Sequence, residues 1–407
     1  MTLKDTLEET YAALSANKVR SGLTVLGIVI GISSVIALVS IGQGAQSSVS
    51  ASIQSIGSNL LIVMPGSQRG PGFQASAGRG SAKTLTQGDA DAIASTVSSV
   101  QSVASEITGR YQVTAAGTNT NTTVDGVSSS YPQVRNVQVD EGSFISDEQN
   151  QSLAKVAVLG PTTVSDLFAT GTEAVGQTIR IKGMEFKVIG TTVSKGGSGF
   201  SNQDDIIYIP VQTAARFLSG DSHLSTIDIQ ATDANSMTQV QTDATTLLST
   251  RHNIASGASA DFSILNQADI LATASSVTQT FTILLGAVAG ISLLVGGIGI
   301  MNMMLTTVTE RTREIGLRKA IGAKKSDINR QFLIEAVTLT LIGGTIGVAL
   351  GSGISLLVSA LGVVQTSLSF SSIALAFGVS AAIGIAFGYY PAQRAATLNP
   401  IDALRYE

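Results

Sequence analysis

The sequence contains no cysteine. Disulfides, thiolate zinc sites and cysteine nucleophiles are therefore excluded. Tryptophan is absent too, so an aromatic belt at a membrane surface would have to rest on Tyr and Phe. The two histidines, His223 and His252, are far apart in sequence, which argues against a histidine-ligated metal. Charge is scarce: Asp, Glu, Lys and Arg make up 13% of 407 residues, about half the share usual in a soluble protein. With a mean hydropathy of +0.33, this scarcity points to an integral membrane protein. The pattern G-x-x-x-x-G-K-[ST] does not occur, so there is no phosphate-binding loop of that kind.

The charge that is present is unevenly placed. Between Gly44 and Ile270 there are 12 cations against 19 acids; the remainder has 12 cations against 9 acids. An acidic central region argues against nucleic acid as a partner. The basic residues outside it gather in Thr309–Arg330, which holds Arg311, Arg313, Arg318, Lys319, Lys324, Lys325 and Arg330. No residue is charged from Ile270 to Thr309, nor from Ala336 to Gln393. A basic knot between apolar runs is what the positive-inside rule places in the cytoplasm.

The chain is therefore expected to be a membrane protein with four transmembrane α-helices and a large α+β extracytoplasmic domain between helices 1 and 2. Residues 1–20 read as an amphipathic interfacial helix, with Leu3, Leu7, Tyr11 and Leu14 at helical spacing. Span 1 covers 21–43, led by Lys18 and Arg20. A cleaved signal peptide competes with this reading, but the run is long for one and further spans follow. Residues 44–270 form the outer domain, 271–308 a polar stalk leading into span 2, 309–330 the cytoplasmic loop, 331–360 span 3, 361–372 a short outer loop, 373–391 span 4, ended by Pro391, and 392–407 a tail. Both termini are then cytoplasmic.

Within the outer domain, strands are expected at Asn59–Met64, Lys155–Leu159, Thr178–Ile181, Glu185–Val193, Asp205–Val211 and Ile227–Ala231. Helices are expected at Gln87–Ser98, Thr162–Ala169, Gln212–Leu218 and Ala234–Thr250, the whole arranged in two lobes. Pro65–Lys83 and Lys195–Asn202 read as flexible Gly-rich stretches. The acid pairs Asp140–Glu141, Asp147–Glu148 and Asp204–Asp205 read as solvated surface rather than a catalytic constellation. In the basic knot, Glu314 and Arg318 form an i,i+4 pair, Gly322 ends one helix and Ser326 caps the next. Gly27 and Gly31, with Gly296, Gly297 and Gly299, read as helix-packing or dimer-face positions.

Three blocks carry a family resemblance. ALSANKVRSGLTVLGIVIGISSVIALVSIGQGA (13–45) resembles the first span of MacB-type ABC permeases. GGIGIMNMMLTTVTERTREIGLRKAIGAKKSDINRQFLIEA (296–336) resembles the FtsX/MacB permease signature, and YYPAQRAATLNPIDALRYE (389–407) its C-terminal tail. VAVLGPTTVSDLF, VGQTIRIKGMEFKVIGTTV and DDIIYIPV resemble the MacB extracytoplasmic domain. The resemblance implies a homodimeric permease in the bacterial cytoplasmic membrane, in contact with lipid. It implies a coupling helix at Glu310–Ala320, with Glu310, Arg311, Arg313, Glu314, Gly316, Arg318 and Lys319 at the ATPase contact and Ile315 as apolar anchor. The family's MacB members carry a fused ATPase domain ahead of span 1. This sequence begins about 20 residues before that span, so the expectation is a permease that is not itself an enzyme. ATP and Mg would be bound by a separate ABC ATPase subunit, in two copies, with a membrane-fusion adaptor as a further partner. The expected function is efflux by mechanotransmission. The alternatives are an FtsX-like regulator of a cell-wall hydrolase, or a lipoprotein-releasing or peptide-sensing permease.

Overall fold

A computed structural model describes residues 18–66, 83–115, 117–168, 173–196, 203–255, 258–361 and 370–404. The N-terminal amphipathic helix, most of both Gly-rich stretches, the outer loop at 362–369 and Arg405 lie outside the described residues.

In chain order the elements are α1 (Lys18–Ser55), β1 (Leu60–Pro65), α2 (Gln87–Thr96), β2 (Val100–Ala115), β3 (Thr118–Val127), α3 (Tyr131–Arg135), β4 (Val139–Gly142) and α4 (Asp147–Gln151). Then come β5 (Val156–Leu159), α5 (Pro161–Leu167), β6 (Thr178–Ile181), β7 (Met184–Thr192), β8 (Ile206–Pro210) and α6 (Val211–Thr213), which runs into a π-turn at Ala214–Ser219. They are followed by β9 (Thr226–Ala231), α7 (Met237–Arg251), β10 (Phe262–Asn266), α8 (Gln267–Glu310), α9 (Thr312–Ala320), α10 (Lys325–Ala360), α11 (Phe370–Thr397) and α12 (Pro400–Leu404). The chain divides into two compact units, one from Ser50 to Thr273 and one made of the rest.

The Ser50–Thr273 unit is built on one ten-stranded sheet, in the order β10-β1-β9-β2-β3-β8-β5-β7-β4, with β6 joining β2 to β7. The strands β2, β3, β8, β5, β7 and β6 thus pair in a closed circuit. The two-lobe expectation gives way to a shared sheet, because the 16-residue β2 serves both parts. Val100–Glu106 pairs with β9, and Val113 and Thr114 pair with β6. The core is mostly aliphatic, with Leu61, Val63, Ile93, Ile207, Ile229 and Val240 fully enclosed beside the aromatic Phe186. Strands β2, β3, β4 and β10 were not expected. The β2–β3 hairpin is written in Ser, Thr, Asn and Gln, with little apolar alternation to announce it. The helix expected at Gln212–Leu218 is instead α6 with its π-turn.

Gln267 ties several backbones together in this unit. Its Oε1 accepts the Leu60 N–H at 3.0 Å, and its Nε2 donates to the carbonyls of Ile53 (2.7 Å) and Gly57 (2.8 Å). A buried amide with these partners satisfies chain ends that would otherwise lack them. α1 therefore runs on to Ser55 rather than ending near Gln43. Asn266 ends β10 and caps α8 by accepting the Ala268 N–H at 2.9 Å.

The other unit is helical. Among the described residues three helices, Gly22–Ser55 within α1, α8 and α10, are long and apolar enough to cross a membrane. α11 is the fourth long helix, at 28 residues. Gly343, Gly347 and Gly351 form the smooth face of α10, and Ile28, Ile32 and Ile36 of α1 lie against them. A Cβ at Gly347 would stand 3.0 Å from that of Ile32. The Ser380 hydroxyl of α11 donates to the Thr340 carbonyl of α10 at 2.6 Å. Pro391 does not end α11 but lies inside it. The Ala392, Ala395 and Ala396 side chains that follow are buried in the helical core; their packing holds the helix together past the hydrogen bond that proline cannot make.

Candidate functional site

The basic knot folds as expected in outline: a short helix, a turn at Gly322 and a new helix. Gly322 has φ +106, a left-handed conformation that glycine alone adopts without strain. Ser326 does not cap α10. The cap position is Lys324, whose N–H donates to the Asp327 carboxylate at 3.2 Å. Glu310 is the last residue of α8, and Arg311 stands at the junction, so α9 begins two residues later than the expected Glu310.

The nine residues of α9 have two distinct faces. Thr312, Ile315 and Gly316 point inward and are buried. Ile315 is 2% exposed and belongs to the helical core, so it anchors α9 to its own chain and cannot anchor a partner. Gly316 allows the close approach of α12: a Cβ there would lie 2.7 Å from that of Ala403. Lys319 also turns inward, its Nζ donating to the carbonyls of Ala396 (2.7 Å) and Leu398 near the end of α11. A lysine satisfying the last carbonyls of a helix is favourable for both hydrogen bonding and the helix dipole. Burial, with Lys325 nearby, holds its ammonium pKa below the usual lysine value.

Arg318 pairs with Glu314 at 2.7 Å and donates from Nη1 to Gln331 of α10 at 2.9 Å. Arg311 lies 3.7 Å from Glu314 and 3.5 Å from the buried Glu335 of α10. α9 is thus bound to α10 and to the end of α11 by charged and polar groups, and it packs on α12 at Gly316. Gln331, Glu335 and the α11 carbonyls are parts of this site that sequence reasoning missed. The one signal was an acid at 335, directly before a 58-residue-long charge-free run (336–393).

The outward face carries Glu310, Arg313 and Glu314 with Leu317 and Ile321. Leu317 is 57% exposed and Ile321 79%. An apolar pair rimmed by both signs of charge is chemistry for docking, with no nucleophile or acid–base pair in it. The expected dimer-face glycines lie within the chain's own packing. Gly27 faces Gly296 across α1 and α8, Gly31 meets Leu293, and Gly297 meets the Phe387 ring. A Cβ at Gly299 would lie 3.9 Å from the Thr24 methyl.

A second charged centre, in the sheet unit, was not expected. Arg135 donates from Nε (2.6 Å) and Nη2 (3.0 Å) to the fully buried Asp228, with Glu106 at 3.6 Å. Burial works against the Arg135 charge, but Asp228, Tyr131 and Glu106 outweigh it and raise its pKa. Burial pushes Asp228 up to about 7, against the pull of Arg135. Burial and Glu106 hold Asp125 well above the usual carboxylate range. Lys195 Nζ donates to the Arg135 carbonyl at 2.6 Å; burial and Arg135 lower it to about 8. These groups come from β2, β3, α3, β9 and the segment after β7, so no local pattern marks them. Asp204 is not surface either: it is buried and accepts the Lys195 N–H at 2.8 Å. Asp140, Glu141, Asp147 and Glu148 are exposed.

Residues 21–247 match the MacB-like periplasmic core domain, and residues 286–400 the FtsX-like permease C-terminal family. The chain belongs to the MacB/FtsX-type ABC permease family. It is 43% identical over 402 residues to the macrolide export ATP-binding/permease protein MacB of Bdellovibrio bacteriovorus, covering 98% of this chain and 61% of that protein. It is 41% identical over 412 residues to the protein of the same name from Azoarcus sp., covering 100% of this chain and 60% of that one. It thus spans about three-fifths of the length of these relatives. Among solved structures, the periplasmic region of MacB from Actinobacillus actinomycetemcomitans aligns at 23% identity with a TM-score of 0.45, over 54% of this chain and 94% of that one. In this family the apolar helices place the chain in the cytoplasmic membrane.

Proposed function

We propose that the chain is the permease of a MacB-type exporter, with α9 as the element on which ABC ATPase subunits act. ATP and Mg would be held by those subunits, two per pair of permease chains. α1, α8, α10 and α11 would be the four spans, with both termini and α9 on the cytoplasmic side. Closure of the ATPases would tilt α9, and α8 would carry the tilt to the extracytoplasmic domain, which pushes cargo toward an adaptor. The names of the MacB relatives support macrolides as cargo, and the match over 21–247 supports export over hydrolase regulation. The observation that carries the reading is the division of α9 into an inner face held against three helices and an outer face bearing Leu317, Ile321 and mixed charge. A knob held that firmly passes on force rather than absorbing it.

The test is a polarity swap, Glu314→Arg with Arg318→Glu. It keeps the attraction between the two positions while reversing the charges offered to a partner. The expected result is a stable protein that no longer stimulates turnover by its ABC ATPase. Co-purification with unchanged stimulated turnover would reject the assignment.

A further inference from the structure

A cleft of about 510 Å³ opens in the sheet unit between the π-turn, β2 and the segment leading to β9. That volume is within the range of about 300–1,000 Å³ typical of small-molecule sites. One wall is apolar: Ile107, Val211 and Leu224 are buried core residues whose surfaces close the cleft, and Ala215 is half-buried beside them, while Gln87, Gln212 and Ser222 add neutral polar groups to the lining. Two charged residues line it. Asp221 is already engaged, by Lys83 Nζ at 2.6 Å and by His223; these hydrogen bonds hold its carboxyl well below the usual range. Arg216 also lines the cleft and has no hydrogen-bond or ion-pair partner among the described residues. It sits on the π-turn, a distortion of helical geometry found often at functional sites. The turn ends at Gly220 with φ +68, so the chain doubles back and closes the far rim.

We propose that this cleft binds a small apolar carboxylate, its body against Ile107, Val211, Ala215 and Leu224 and its carboxylate on the Arg216 guanidinium. The polarity follows from the lining. The one carboxylate present is neutralised by its own neighbours, leaving an unpaired cation above an apolar wall. A planar guanidinium takes a carboxylate through two parallel hydrogen bonds. An amine of the same shape would meet Arg216 as a like charge. The site is independent of the coupling reading, because equilibrium binding needs no ATPase.

The experiment uses the full chain in lipid nanodiscs and isothermal titration with N-acetyl-Leu-Phe, with empty nanodiscs as the blank. Its C-terminal amide is the neutral twin. The carboxylate should bind saturably, and the amide about tenfold to a hundredfold more weakly, the loss expected for a charged hydrogen bond. Arg216→Gln should weaken the carboxylate by the same factor and leave the amide unchanged, since exposed Arg216 has no structural partner to lose. Ala215→Phe, which puts a ring against the apolar wall where the ligand body would lie, should abolish both. Equal binding of carboxylate and amide, full affinity in Arg216→Gln, binding that survives Ala215→Phe, or no saturable binding would each overturn the proposal.

Discussion

The two units of this molecule place charge and apolar surface in opposite ways. In the sheet unit, apolar side chains fill the interior. The buried charges there are all partnered: Asp228, Glu106 and Asp125 gather around the half-buried Arg135, Asp89 pairs with Arg251, and Asp204 accepts from the Lys195 N–H. In the helical unit, large apolar residues such as Phe281, Ile291, Val295 and Leu357 are more than half exposed, while at the helix contacts glycine, alanine and serine make room for the side chains of the neighbouring helix. Its charges collect at Thr309–Arg330. The difference is the solvent. Water rewards apolar burial; hydrocarbon does not, so membrane helices associate through close packing of small residues.

Four perturbations sharpen or break this comparison. The largest effect is expected from Asp228→Ala, which strands Arg135 in the sheet unit; the loss should be about 3–5 kcal/mol, read as a lower urea midpoint. Next is Ile291→Asp on the exposed apolar face of α8. A charge at the centre of a membrane helix costs about 3 kcal/mol, seen as reduced folded yield in membranes. An equal yield would mean that this face does not meet hydrocarbon.

The third is a pH dependence confined to the sheet unit. Asp228, pushed to about 7, and Asp125, raised in the same direction, bind protons in the folded state that the unfolded chain has released. The folded state then holds more protons, so stability rises as pH falls from 7 toward 5, by about 2 kcal/mol for Asp228. Below the ordinary carboxylate range the trend reverses. Asp89, which burial would raise, is held low by Arg251 and Thr86, and the stability it gives is lost as it protonates. Denaturation midpoints at pH 7, 6 and 5 that fall rather than rise would refute the Asp228 assignment.

The smallest stability effect is expected from the Glu314/Arg318 swap. An exposed i,i+4 pair is worth about 0.3–0.5 kcal/mol, so melting should hardly change while ATPase coupling is lost. A large drop in melting would show that the Arg318–Gln331 bond matters more for the fold than for docking.

Much of the fold was legible because bilayers and sheets impose simple periodicities. The uncharged run from Ile270 to Thr309 marked α8 to within a few residues, and Val-, Ile- and Leu-rich runs marked β1, β5, β7, β8 and β9. The β2–β3 hairpin was not legible. NTNTTVDG reads as loop by composition, and it becomes strand because β8 and β2 flank it. At the candidate site, the short helix, the Gly322 turn and the Glu314–Arg318 pair follow from local spacing. The direction of each side chain does not. Ile315 looked like an anchor for a partner, and Lys319 like part of a charged docking face. Ile315 was turned inward by the helical core, and Lys319 by the open carbonyls at the end of α11.

By itself the sequence determined the apolar spans, the basic knot between them and the family, since these rest on composition and short-range order. Only the tertiary structure decided which face of α9 is exposed, that Gly31 and Gly297 serve contacts inside the chain, and that acids and a guanidinium from β2, β3, α3 and β9 meet in one buried centre. Those outcomes depend on contacts between residues far apart in the chain, where burial makes each polar group find a partner.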